Sequence, residues 1–281
     1  DQERLRKDPY VASIFYKKEG EPLAVGDRLI QKDLGQTLRR VAKNGPGEFR
    51  SGQTAKKIVA FVQKQGGVLS LMDLKKYSVK YREPIQGTWK GYSFVSAPPP
   101  SAGGIVLAQM FQVLEGLGFP AKDQSDSVQY LAESLKQGFA DRATYVGDPD
   151  FVKIPLSALT SKSYAEKIKD RIQKEGIVAS TNVKAAENLE AKHTSHFSVM
   201  DDTGAAVGCT LTINTPFGSG LAAPGTGVFL NNEMDDFSAK PGEKNAYGLT
   251  GADANSIAPG KRPVSSMTPT IVFKNGTPVL A

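Results

Sequence analysis

The hydrophobic period of this chain changes sharply at Thr194. Up to about residue 173 apolar residues recur mainly at helical spacing. From Thr194 they alternate, with Thr194, His196, Ser198 and Met200 on one face and Ser195, Phe197, Val199 and Asp201 on the other. A period near 3.6 marks an amphipathic helix and a period of 2 a strand, because those are the steps of side chains about the two backbones. The expected organisation is a helical and strand part over 1–173, an exposed linker over 174–193 with no apolar period, and a strand-rich part over 194–281. Helices followed by strands point to helices packed outside a layered sheet.

Local signals refine this outline. The segment 51–67 has helical spacing and a Gly-Gly stop, and 68–100 reads as a short helix followed by strands around "WKGY". Helices are expected over 101–119, entered through Pro and Gly, over 125–150, opened by Ser and Asp, and over 159–173. Two strands should meet at the turn "DDTG", and a second hairpin at Asn275-Gly276. The Gly-, Pro- and Asn-rich stretch 215–262 is too long for a mere connector, and long ordered loops usually carry function. No internal repeat is visible.

Composition excludes several classes. The 281 residues are 40% hydrophobic and 23% charged, which suits a large core or two lobes. No apolar run reaches the length of a membrane span. The opening "DQERLRKDPY" has no initiator Met and no signal pattern, so a removed leader or a fragment is expected. The net charge of +6 comes from scattered basic residues without an aromatic-interleaved stripe, which argues against nucleic acid. Cys209, in "AAVGCTLTIN", reads as a small residue of a buried strand rather than a nucleophile. Two histidines, His193 and His196, are too few for a typical zinc site, and no metal or other cofactor is expected.

The junction at Thr194 suggests chemistry. A threonine hydroxyl is a weak nucleophile unless a base takes its proton, and an N-terminal threonine can use its own α-amine. That amine titrates at about 7.7–8.0, close to neutrality, as suits a general base. An internal Thr194 gains the amine only if the peptide bond after His193 is cut. A linker supplies slack for such a cut, and a strand beginning there fixes the hydroxyl against the preceding carbonyl. A plain linker-to-strand junction is the alternative.

The stretch "TSHFSVMDDTGAAVGCTLTINTPFGSG", followed by "NNEMDDFSAKPG" and "KRPVSSMTPTIV", resembles the small-subunit start of the γ-glutamyltransferases (γ-glutamyltranspeptidases). "APPPSAGG" and "FADRATYVGDPDF" resemble the matching part of their large subunit. The resemblance runs in the family's order along essentially the whole chain. It implies an N-terminal nucleophile hydrolase, an α+β fold with a four-layer αββα sandwich, here incomplete at both ends. It also implies self-cleavage, followed by attack of the new N-terminal Thr on γ-glutamyl amides such as glutathione.

By that resemblance Thr194 is the nucleophile and His193–Thr194 the self-cleavage bond. Thr212, on the second strand, supports the nucleophile. Asn214, Glu233 and Asp236 hold the substrate α-amino group, Ser265 and Ser266 its α-carboxylate, and Tyr247 gates the site from a loop. The roles suit the chemistry: carboxylates and an amide oxygen accept from an ammonium, and hydroxyls donate to a carboxylate. Each residue also has a structural reading. Asp235-Asp236 can be a solvated turn, Ser265-Ser266 a strand cap, Tyr247 ordinary surface and Asn214 a turn residue. The prolines at 98–100 read as a rigid helix entry, Asp141 and Arg142 as a structural ion pair or cap, and His196 as structural.

The family pattern includes an arginine expected before Asp1 and a Ser-Pro-Gly-Gly oxyanion hole expected after Ala281, so the chain alone is expected to be inactive. The implied partners are small γ-glutamyl substrates, amino-acid or peptide acceptors, and the large and small subunits for each other after processing. The implied location is periplasmic or extracellular. Alternatives are an incompetent precursor fragment or scaffold, a glutaryl-cephalosporin acylase, or a poly-γ-glutamate-cleaving enzyme.

Overall fold

The structure, a computed structural model, describes residues 2–177, 194–240, 242, 243, 245, 248, 249 and 251–281. In chain order its elements are α1 (Gln2–Lys7), α2 (Pro9–Phe15), α3 (Lys32–Asn44), α4 (Gly47–Arg50), α5 (Gln53–Lys64), α6 (Leu71–Lys76), β1 (Ile85–Trp89), β2 (Tyr92–Ser96), α7 (Gly103–Gly116), α8 (Gln124–Tyr145), α9 (Leu156–Leu159) and α10 (Lys162–Glu175). After these come β3 (Ser195–Met200), β4 (Ala206–Leu211), β5 (Ala222–Ala223), β6 (Val228–Phe229), β7 (Thr270–Lys274) and β8 (Thr277–Leu280), with short 3-10 turns at Glu233–Asp236 and Asp253–Asn255. The helices and hairpins expected from periodicity are present. The helix expected over 125–150 stops at Tyr145, where Val146 turns extended. The last helix of the first part continues through Glu175 and ends at Gly176. The remainder of the expected linker, 178–193, lies outside the described residues.

Two compact units form, Asp1–Tyr81 with Thr212–Asn232, and Arg82–Leu211 with Glu233–Ala281. Each therefore draws on residues from both sides of His193.

In the first unit, the Asp8 carboxylate caps α2 by accepting the N–H groups of Tyr10 at 2.8 Å and Val11 at 3.1 Å. Leu5, Val11 and Ala222 form a small core closed by Tyr10, Phe15 and Phe229. A polar knot joins α3, α4 and α5. Buried Glu48 accepts from the Thr54 hydroxyl at 2.7 Å, the Thr54 N–H at 2.8 Å and Arg40 Nε at 3.0 Å. The Thr54 hydrogen bonds, with help from Asn44 and Arg40, hold the Glu48 carboxyl down at about 2. The Thr37 hydroxyl donates to the Thr226 carbonyl at 2.7 Å and Lys57 Nζ to that of Gly225 at 3.0 Å, which ties 212–232 onto these helices.

The second unit is built on an antiparallel sheet in the order β1-β2-β7-β8. Phe94 faces Val272 and Ser96 faces Thr270 across β2 and β7. Helix α7 packs on this sheet, and α8 and α10 pack on α7. Ile85, Phe94, Ile105, Ala108 and Val264 share the core; burying side chains such as Ile and Phe contributes roughly 1.5–3 kcal/mol each. The "APPPSAGG" entry to α7 has a packing reason: a Cβ on Gly103 would lie 1.8 Å from Thr268 Oγ1, so only glycine lets the helix start this close to 268.

Strands β3 and β4 form a two-stranded antiparallel sheet, with Phe197 opposite Cys209 and His196 opposite Thr210. Its "DDTG" turn is closed by the Asp201 carboxylate, which accepts from Thr203 N at 3.0 Å, the Thr203 hydroxyl at 2.7 Å and Ala205 N at 2.9 Å. Cys209 is only half-buried, contrary to the expectation of a buried strand, because its cross-strand neighbour Phe197 is itself exposed. Among the described residues no helix is long and apolar enough to cross a membrane.

Candidate active site

Thr194 stands immediately before β3, at the exposed head of the β3–β4 hairpin in the second unit. The hairpin is steered by β4, where Gly208 comes close to the residues that lead into β7. A Cβ there would lie 3.7 Å from Pro269 Cβ and 3.8 Å from Thr270 N. It is β4, the partner of Thr194's strand, that lies near the segment following Ser265 and Ser266. His196 has both ring nitrogens engaged, Nδ1 with the Thr210 hydroxyl at 2.7 Å and Nε2 with the Ser198 hydroxyl at 3.0 Å. The Thr210 contact crosses from β3 to β4, and the Ser198 contact stays within β3.

The acidic and serine clusters are brought together within this same unit. Glu233, Asp235 and Asp236 lie on one 3-10 turn. The segment 265–267 is gripped by the proline-rich entry: Ser265 N donates to the Pro100 carbonyl at 3.0 Å, Ala102 N to the Ser265 carbonyl at 3.0 Å, and the Ser101 hydroxyl to the Met267 carbonyl at 2.5 Å. The Ser265 hydroxyl accepts the Met267 N–H at 3.1 Å, a local turn. The Ser266 hydroxyl faces Arg142, whose Nη2 lies 3.4 Å away. Asn255, buried between the two clusters, joins them, with Nδ2 on the Asp236 carbonyl at 2.7 Å and Oδ1 on the Val264 N–H at 3.0 Å.

Arg142 corrects the reading of Asp141 and Arg142 as an ion pair. Adjacent helical residues point to different faces. Asp141 turns to Gln109 at 2.9 Å, Gln137 at 3.2 Å and the Tyr164 hydroxyl at 3.0 Å. Arg142 turns to Ser266 and to the charge of Asp236. A cavity of about 120 Å³ is lined by Arg142, Asp235, Asp236 and Asn255, among others.

Electrostatics follow from this burial. Burial raises the Asp236 carboxyl to about 6, Glu233 and Asp235 push it in the same direction, and Arg142 pulls it down. Burial also raises Glu233 above the usual carboxylate range. Burial lowers the Arg142 guanidinium from its usual value, and Asp236 opposes that shift. A half-buried acidic turn of this kind favours an occupant that carries positive charge.

Thr212 and Asn214 belong to the first unit. Thr212 lies one residue beyond β4 rather than within it. Its hydroxyl accepts the Asn214 N–H at 2.9 Å. Asn214 is buried with φ of 76°, a left-handed turn position that asparagine tolerates, and its Nδ2 donates to the Asn232 carbonyl at 3.3 Å. Asn214 is a turn residue whether or not it also binds a ligand. His193 and Tyr247 lie outside the described residues. Among the described residues no cluster of His, Cys, Asp and Glu could hold a metal ion.

Sequence reasoning missed Asn255 and the direction of Arg142. The helical period could have separated Arg142 from Asp141. Nothing local marks Asn255, because its partners lie 19 and 9 positions away along the chain.

The gamma-glutamyltranspeptidase family model matches residues 1–281. The glutathione hydrolase proenzyme of Escherichia coli (strain K12) is 47% identical over 271 residues, covering 94% of this chain and 46% of that protein. The cephalosporin acylase of Bacillus halodurans has a TM-score of 0.79 at 25% identity, covering 98% of this chain and 47% of that one. The γ-glutamyltranspeptidase of Helicobacter pylori has a TM-score of 0.59 at 37% identity, covering 65% of this chain and 53% of that one. The chain spans about half the length of the curated relatives it matches. With its mixed α/β architecture and its family motifs in order from end to end, this chain belongs to the γ-glutamyltranspeptidase family.

Proposed function

We propose that the protein is a γ-glutamyl hydrolase and transferase that cuts its own chain before Thr194. The observation that carries the reading is the convergence, within one unit, of Asp236 on an acidic turn and Ser266 of the serine pair on a single buried arginine. A γ-glutamyl group bears an ammonium and a carboxylate on one carbon, so it needs acceptors and donors side by side. Glu233 and Asp236 accept from the ammonium, and Ser265 and Ser266 donate to the carboxylate; the family resemblance adds Asn214 to the acceptors. Holding both ends aims the distal amide at the nucleophile and removes much of its orientational freedom.

In this reading the Thr194 hydroxyl first attacks the carbonyl of His193. The C–N bond breaks, so that the acyl group passes to the oxygen and the Thr194 amine is freed, and water then hydrolyses the ester to release the hydroxyl and the His193 carboxylate. The freed amine then takes the hydroxyl proton as the oxygen attacks the γ-amide. The amine of the substrate leaves with a proton, and a γ-glutamyl-threonine ester remains. Water or an amino-acid or peptide acceptor releases it. The family resemblance assigns Thr212 to support of the nucleophile and Tyr247 to a gate. The two products of cleavage stay paired, in the four-layer αββα arrangement. Helix α7 packed on the β1-β2-β7-β8 sheet supports one helix and one sheet layer of it. We place the protein in the periplasm or outside the cell, following the family resemblance.

Likeness to a cephalosporin acylase raises a second reading. A glutaryl side chain has no α-ammonium to engage the carboxylates of Glu233 and Asp236. The acidic turn therefore favours γ-glutamyl over glutaryl substrates. The test incubates the full-length protein with a chromogenic γ-glutamyl anilide and with a glutaryl amide, and weighs the products of self-cleavage. Two pieces parting before Thr194 and preferential release from the γ-glutamyl compound are the expected results. An intact mass with no release sinks the reading, and preference for the glutaryl amide transfers it to the acylase.

A further inference from the structure

Arg142 is 9% exposed and lies on α8, 124 positions before the serine it faces. Its Nη2 is 3.4 Å from Ser266 Oγ, and it interacts electrostatically with the Asp236 carboxylate. Its Nε is buried without a hydrogen-bond partner. The neighbouring Asp141 is engaged elsewhere, with Gln109, Gln137 and Tyr164. A cation sunk this deeply is costly unless an anion answers it, and the anion that answers Arg142 is the carboxylate assigned above to the substrate ammonium.

We propose that Arg142 is a positioning residue of the γ-glutamyl site, supplying the counter-charge for Asp236 and a donor to the Ser266 hydroxyl. One side chain thereby sets both the ammonium and the carboxylate contacts of a single substrate. This rests on the γ-glutamyl reading above. The charged groups around Asp236 are Glu233 and Asp235 on its own turn and Arg142 from α8. Lys240 and Glu243 line the same cavity but pair with each other at 3.1 Å. Arg142 is thus a cation that opposes the charge of Asp236. Its planar fork can address two partners at once, which a lysine ammonium does less well.

The experiment measures kcat and KM against pH for the full-length wild type, Arg142→Lys and Arg142→Met with a γ-glutamyl anilide. Thermal melting and self-cleavage are recorded for each. Arg142→Met is expected to raise KM about tenfold, the order a charge-assisted contact controls. It should also move the acid limb of kcat/KM to higher pH, because Asp236 loses the cation that favours its ionised form. Arg142→Lys should restore the limb and only part of the KM. An active wild type whose variants keep its KM and acid limb overturns the proposal. So does a loss of kcat and melting temperature with the limb unmoved, which marks a packing role. If Arg142→Met does not fold, Arg142→Lys decides: a raised KM with the wild-type limb supports the proposal, and a wild-type KM overturns it. A wild type without γ-glutamyl turnover overturns the γ-glutamyl reading, and the proposal with it.

Discussion

Asn255 Nδ2 donates a hydrogen bond of 2.7 Å to the carbonyl oxygen of Asp236. Through Oδ1 the same side chain accepts the Val264 N–H at 3.0 Å. One buried amide thus spaces the acidic turn from the serine pair that follows Val264. Asn255→Ala would leave a backbone carbonyl and a backbone N–H unanswered. We expect a loss of about 1–3 kcal/mol in stability, the usual consequence of an orphaned buried polar group, together with a raised KM for γ-glutamyl substrates. Thermal melting and steady-state kinetics check both. A variant with lowered stability and an unaltered KM would make Asn255 a structural residue only.

Asp236 sets a pH dependence whose sign can be worked out. Its carboxyl is raised to about 6 by burial, then by Glu233 and Asp235. Only the ionised form attracts the substrate ammonium, so binding should be full above about 6 and fade as the pH falls through that value. Asp236→Ala should raise KM on the order of ten- to a hundredfold near neutral pH, the range of a charged hydrogen bond. Self-cleavage should continue, since it needs no substrate ammonium. A KM that is flat across the acid range in the wild type, or unchanged in Asp236→Ala, would return the acidic turn to a structural role.

Thr194→Ala in the full-length protein should abolish both self-cleavage and turnover, because one hydroxyl serves both reactions. Thr194→Ser should retain part of each. Gel analysis of processing, run beside the chromogenic assay, reads the two outcomes separately. Processing at the normal rate in Thr194→Ala would exclude Thr194 as the attacking group.

The first unit carries a pH-sensitive knot of its own. Glu48 is held down at about 2, chiefly by the hydroxyl and N–H of Thr54. A carboxyl with a depressed value contributes stability above its unfolded pKa, and the contribution is lost as the pH falls towards the folded one. Glu48→Gln should therefore lower the melting temperature at neutral pH. The gap to wild type should close as the pH drops from about 4.5 towards about 2. Melting curves over that range that stay parallel would show that Glu48 is not the titrating group.

The period change at Thr194, the caps and the hairpin turns could be read from the sequence because they depend on residues a few positions apart. Asp123, Ser161 and Asp8 cap their helices through N–H groups within a turn of themselves, and Asn275-Gly276 makes its own turn. The candidate site residues were legible for another reason: the family motifs name them one by one. Their surroundings were not legible. The sheet closes by pairing β2 with β7, so that Ser96 meets Thr270 across 174 positions. Arg142 and Asp141 differ by one position, yet face opposite environments. Burial raises Asp236, and that burial comes from neighbours supplied by the fold. The sequence by itself determined the kinds of element, their order and the chemical groups available. Which groups share one desolvated site was decided by the tertiary structure alone, because strand pairing and charge burial depend on distances in space rather than along the chain.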